Sequence, residues 1–182
     1  MRVWTTLLTC VLALSGAVAR AEGEVGLVSF TFDDATQAQF DHGLRLAKAH
    51  GIVGTLFVPP ALIADTEAPD SWTMSWAEVR AFVDAGWEIG AHGRSHIRLT
   101  ELDPALLAEE IEGPAQDIAE RIGVAPVSFS SPFGAFNDLT LDRIMASYAA
   151  HLSWEGHGGR NPRDDIDPMF IGRLEVLNTM TA

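Results

Sequence analysis

The sequence predicts a single α/β domain in which strands and helices alternate. Three observations carry this: short β-rich apolar runs recur between helical patterns, the connections are mostly short, and 182 residues hold one ordinary domain with a real core. Repeated strand-helix units imply parallel strands with right-handed crossovers, which close into a barrel or spread into an open doubly wound sheet. Both architectures put ligands at the carboxyl ends of the strands.

Each element has its own signal. Val28 to Phe32 reads as the first strand, and Ala38 to His50 as a helix with Phe40, Leu44 and Ala47 on one face and Gly51 at its end. Val53 to Val58 is the next strand. Ser75-Trp76-Ala77-Glu78 is a capping box that opens a helix bearing Val79, Phe82 and Val83 and stopping at Gly86. Trp87 to Ala91 is a third strand. A long helix then has Asp103 as N-cap and Pro104 as its first residue, with Leu107, Ile111, Ile118 and Ile122 in register before Gly123. Gly113-Pro114 falls inside it and predicts a kink or break, because proline removes a helical N–H and crowds the preceding turn. Val127 to Ser131, His151 to Trp154 and Phe170 to Val176 complete the strands, with a helix between Leu139 and Tyr148.

The amino terminus carries an export pattern. Arg2 is followed by the mostly apolar run Val3 to Val18, and Ala17-Val18-Ala19 or Ala19-Arg20-Ala21 offers a small-x-small cleavage site. Residues 1–21 are therefore read as a signal peptide and 22–182 as the domain, secreted or periplasmic. The run is shorter than a bilayer-spanning helix needs, so no stable membrane anchor is expected. Cys10, the single cysteine, interrupts that run, which fits a lipoprotein poorly and leaves the mature domain without thiol or disulfide. A formal net charge of -13 disfavours nucleic acid and anionic lipid as partners and admits neutral or cationic ones.

Chemistry concentrates at three predicted strand ends. Thr31-Phe32-Asp33-Asp34 places adjacent carboxylates where the first strand runs out, and two like charges held together call for a cation between them or a proton on one. A strand-ending turn also explains an isolated Asp-Asp pair. His92-Gly93-Arg94-Ser95-His96 puts two imidazoles on a loop leaving the third strand, where both can reach one metal ion or simply pack and cap. Ser130-Ser131-Pro132-Phe133-Gly134 makes a rigid turn after the fourth. Parallel strands bring all three to one face.

These segments, with Gly54-Thr55-Leu56-Phe57-Val58 and Gly86 to Ala91 between them, resemble in order the polysaccharide deacetylase (NodB-homology) domain of family 4 carbohydrate esterases. The resemblance runs from Val28 to Val176. It implies a distorted, incomplete (β/α) barrel with one catalytic divalent cation, expected to be zinc. Asp34, His92 and His96 would hold the cation, leaving positions open for water and substrate. Asp33 would be the general base and the backbone N–H of Phe133 an oxyanion donor. The implied activity is hydrolytic removal of N-acetyl groups from the amino sugars of a polysaccharide or oligomer by metal-activated water. Alternatives on the same site are an O-acetyl esterase, a small cyclic amide hydrolase, or a carbohydrate-binding relative with weak catalysis.

The chain departs from the pattern at several places. Ala35 replaces a frequent glycine, and Gly93 the usual Ser or Thr. Many members carry an arginine two positions before the motif proline, orienting the base; here that residue is Ser130, so something else must position Asp33. Many members also end with a Leu-x-His acid, whereas no histidine follows Phe170. His157, in the loop Gly156 to Gly159, is the candidate acid, with His151 on a strand as the other possibility. Pro132, Phe133 and Trp154 are the candidate substrate contacts. Trp72 is a further aromatic near the mouth, and Trp76 reads as packing. Asp164, Asp165 and Asp167 read as a solvated loop, and His42 and His50 as structural or exposed.

Overall fold

The computed structural model describes residues 27–67, 71–153, 161–162 and 164–175. Among them six parallel strands run in sequence order: β1 (Phe30–Phe32), β2 (Gly54–Val58), β3 (Glu88–Ala91), β4 (Ser128–Ser130), β5 (Ala150–Ser153) and β6 (Ile171–Gly172). The sheet curls into a half-barrel, the incomplete (β/α) barrel of the NodB type. Register is tight where strands are longest, with Thr55 opposite Glu88 and Val58 opposite Ala91. Among the described residues β1 and β6 are the two edges, and no ladder joins them. No helix among the described residues is long and apolar enough to cross a membrane.

Helices α1 (Arg45–His50), α2 (Trp76–Asp84), α3 (Pro104–Ile122) and α4 (Asp138–Ser147) cover the sheet. Their ends follow the sequence signals. Ser75 accepts from the N–H of Glu78, whose carboxylate reaches back to Ser75, and Asp103 accepts from the N–H groups of Ala105 and Leu106. Gly51 and Gly123 take left-handed conformations at φ 65° and 79° and end α1 and α3.

Two features differ from expectation. The first helix begins as a π-helical segment, Gln39–Leu44, before α1. Gly43 lies in that segment because a Cβ there would come within 2.8 Å of the Phe32 ring. Second, of the kink or break expected at Gly113-Pro114 the break does not occur: α3 runs through with Pro114 inside it. An interior proline costs about 3 kcal/mol. Leu107, Ile111, Ile118 and Ile122, buried on both sides of it, contribute roughly 1.5–3 kcal/mol each and hold both halves on the same core.

The core joins Leu56, Val58, Val79, Phe82, Ile89, Ile111, Ile118, Phe129 and Ile144 into one cluster. Phe32 stacks on Trp87 at 5.0 Å between ring centres, and Phe82 meets Trp87 edge-on at 5.2 Å. These rings anchor β1 immediately beneath the Asp33-Asp34 turn. Gly90 lets the Phe57 ring lie across β3, where a Cβ would come within 2.4 Å of it.

Candidate metal centre and active site

The site forms where the strands end. Asp33 and Asp34 follow β1, His92 follows β3, and Ser131-Pro132-Phe133 follows β4, so parallel topology alone brings them together. Their backbone is strained. The non-glycine residues with positive φ among the described residues are Asp34 (73°), Ala35 (50°), His96 (55°) and Phe133 (60°), all at this face. Such conformations cost of order 1 kcal/mol or more each and persist where surroundings over-determine them.

Those surroundings can be named. Gln39 donates to the carbonyl of Asp33 at 2.8 Å, and the N–H of Met74 donates to the carbonyl of Ala35 at 2.9 Å. On the histidine loop, Glu110 reaches over from α3, 2% exposed, and its Oε2 accepts the N–H groups of Arg94 and Ser95, both at 2.8 Å. One buried carboxylate thus clamps the loop between the two histidines. Gly93, at φ 66°, lies against Pro132, whose Cγ would be 3.0 Å from a Cβ at that position.

Asp34, His92 and His96 each direct a ligand atom to one point, all within 4.8 Å of one another. His92 Nδ1 lies 2.7 Å from the carbonyl of Ser130, so that nitrogen carries the proton and the Nε2 lone pair turns toward Asp34. Asp34 Oδ1 is 3.2 Å from His92 Nε2 and 3.0 Å from His96 Nε2, yet it is buried and has no hydrogen-bond partner. A carboxylate oxygen facing an imidazole lone pair is repulsive until a cation sits between them. Two nitrogens and one carboxylate oxygen, with His92 Nδ1 anchored on a carbonyl, could hold a divalent cation and leave coordination positions open.

Asp33 lies beside this set, Oδ2 3.8 Å from His92 Nε2. Its partner is a residue that the sequence did not single out. Arg173, just past β6, donates from Nη1 to Asp33 Oδ1 at 2.7 Å and from Nη2 to Oδ2 at 2.8 Å. Ser130 Oγ donates to the same Oδ2 at 3.1 Å and accepts from Arg173 Nη2 at 2.8 Å. Burial raises the Asp33 pKa, but Arg173, His92 and Ser130 together hold it below the ordinary value, so the carboxylate stays ionised.

Phe133 is 47% exposed, with its ring 4.7 Å from that of His96 and the Arg98 guanidinium 5.2 Å from its centre. Pro132 is buried against Gly93 and shapes the turn. His157 and Trp154 lie outside the described residues. His151 is fully buried, with Nδ1 2.9 Å from the Met169 carbonyl and Nε2 2.9 Å from Ser131 Oγ. With both nitrogens engaged it holds β5 to the motif turn and presents neither to substrate. Trp76 is buried as packing, while Trp72 is 60% exposed and its carbonyl accepts the N–H of Gln37, three residues past Asp34. His42, His50, Asp164, Asp165 and Asp167 are exposed.

A family profile described as polysaccharide deacetylase matches residues 20–149. The chain belongs to that family, whose members are hydrolases acting on the amide bonds of acetylated sugars. The fold is also that of solved deacetylases. The Streptococcus pyogenes deacetylase PplD, solved in complex with acetate, superposes with a TM-score of 0.73 at 18% identity over 85% of this chain and 66% of its own. IcaB from Ammonifex degensii gives 0.70 at 22% identity, over 83% of this chain and 68% of its own. A family 4 carbohydrate esterase from Streptomyces lividans, also with acetate, gives 0.61 at 27% identity, over 71% of this chain and 63% of its own. The chain thus spans about two thirds of the length of these proteins. No curated protein sequence matches it significantly.

Proposed function

We propose that this protein is a metal-dependent deacetylase that hydrolyses the N-acetyl groups of amino sugars in a polymer or oligomer. The observation that carries the reading is the convergence of Asp34 Oδ1 with His92 Nε2 and His96 Nε2, at 3.2 and 3.0 Å, beside an ionised Asp33. A divalent cation held there, zinc being the best match to the donor set, supplies Lewis acidity toward an acetyl carbonyl and a water.

The protein's own groups do the rest. Asp33 accepts a proton from the attacking water as its oxygen bonds to the acetamide carbon. The backbone N–H of Phe133 donates to the developing oxyanion, a contribution worth ~3 kcal/mol in comparable sites. The C–N bond then breaks, the nitrogen takes up the proton held by Asp33 or one from His157, and acetate and a free amine remain. Exposed Phe133 and Trp72 offer rings for sugar faces, in the manner Trp154 was expected to.

Acetate release from N-acetylglucosamine oligomers tests the reading. Activity should vanish with chelator and return with added zinc, and Asp33→Asn should lower kcat by roughly 10²–10⁴-fold with bound metal unchanged. One observation favours a second reading, O-acetyl ester hydrolysis: His151 is fully engaged, and esters need less acid assistance because their leaving group is better. Release from O-acetylated but not N-acetylated sugars would select it. Stoichiometric metal with no release from either class would leave only a binding protein.

A further inference from the structure

The seam of the half-barrel is bridged inside the site. Among the described residues β1 and β6 are opposite edges of the sheet with no ladder between them, yet the Arg173 side chain crosses from one to the other. Its Nη1 bonds Thr31 Oγ1 at 3.1 Å within β1, and its fork takes both oxygens of Asp33 just beyond β1. The guanidinium is held in turn: Nη2 meets Ser130 Oγ, the Phe57 ring lies 5.4 Å from Cζ, and the Arg173 N–H donates to the Ser153 carbonyl at 2.9 Å. The Arg173 side chain is only 13% exposed.

A bidentate fork fixes the plane of a carboxylate, which a single hydrogen bond leaves free to rotate about its last torsion. Asp33 needs that constraint, since β1 ends one residue earlier and its own loop goes on into left-handed backbone at Asp34 and Ala35. Among the described residues no guanidinium reaches the candidate cation ligands: the Ser130 carbonyl holds His92, and Glu110 holds the backbone of Arg94 and Ser95 between the two histidines.

We propose that Arg173 is the positioning residue of the catalytic base, carried by the far edge strand and closing the barrel seam through Asp33 rather than through a backbone ladder. The assignment rests on the deacetylase reading for its catalytic consequence but not for its structural one. Arg173 aligns Asp33 while leaving the cation site intact. Lysine can restore the charge but not the two-pronged geometry.

The test compares wild type, Arg173→Met, Arg173→Lys and Asp33→Asn by steady-state kinetics, zinc titration and hydrogen exchange. Arg173→Met should lower kcat at least 100-fold with KM and zinc affinity each within about threefold, and Arg173→Lys should recover only part of kcat. Exchange at residues 31–35 should rise in Arg173→Met while that at 92–96 stays constant. Wild-type-like kcat in folded Arg173→Met, or a loss of zinc affinity equal to the loss of kcat, would overturn the assignment. Should Arg173→Met fail to fold, Arg173→Lys decides alone: full kcat overturns the proposal and a 10-fold or greater loss with zinc binding kept upholds it. A wild type that releases no acetate defeats the deacetylase reading, and the exchange pattern then judges Arg173 independently.

Discussion

At the scale of single residues, the site separates into what local sequence announces and what it hides. Asp33, Asp34, His92 and His96 were legible because each sits within a few positions of a strand end, where alternation gives way to polar turn residues. Arg173 was not, because its partner is 140 residues away and no spacing rule connects them. The sequence placed a vacancy at Ser130 and located its substitute nowhere. His151 was legible only as a strand residue, and its burial decides its role. Burial lowers its pKa, so the folded protein keeps it neutral while the unfolded chain takes up a proton below about pH 6.5. Stability on this account is complete above that pH and falls as pH drops toward the lower folded pKa, by at most about 1.4 kcal/mol per unit. Thermal melts between pH 7.5 and 5 should therefore show a shallower acid slope for His151→Gln than for wild type.

At the scale of elements, α3 does more than cover the sheet. Its apolar stripe was readable at helical spacing, but the inward role of Glu110 was not, since a glutamate on a helix reads as solvated by default. The same stripe carries the helix through Pro114. Among the described residues Glu110 satisfies the N–H groups of Arg94 and Ser95, so Glu110→Ala leaves two donors of a half-buried loop without that acceptor. Stability should fall by about 1–2 kcal/mol, since water can reach these half-buried donors. Zinc affinity should weaken roughly 10–100-fold by isothermal titration, as expected when the support of metal ligands is removed. Glu110→Gln, which keeps an acceptor, should recover most of both. Equal behaviour of the two variants would show that the carboxylate holds nothing.

At the scale of the whole molecule, strand-helix periodicity reached parallel topology but not the choice between barrel and open sheet, because closure depends on curvature that no short window encodes; the family resemblance supplied the incomplete barrel, which the structure bears out. The architecture is a curled sheet whose edge strands, among the described residues, meet through side chains. Charge is the other global property. Under the proposed function, a formal net charge of -13 should attract partially deacetylated oligomers, whose free amines are cationic, more strongly than fully acetylated ones. Raising salt from 20 to 300 mM should increase KM for the former several-fold and leave it unchanged for the latter. Equal salt dependence of both substrates would remove long-range attraction from the account.

Ser130 faces two ways: its carbonyl orients His92 and its hydroxyl contacts Asp33 and Arg173. The first of these is peptide backbone, which every amino acid supplies, whereas the second is a side chain that one codon change removes. Mutational drift at this position therefore erodes the base and spares the imidazole. Under the proposed function, loss of the Ser130 hydroxyl should cost turnover before it costs cation binding, and zinc titration beside kinetics of Ser130→Ala would show the two come apart.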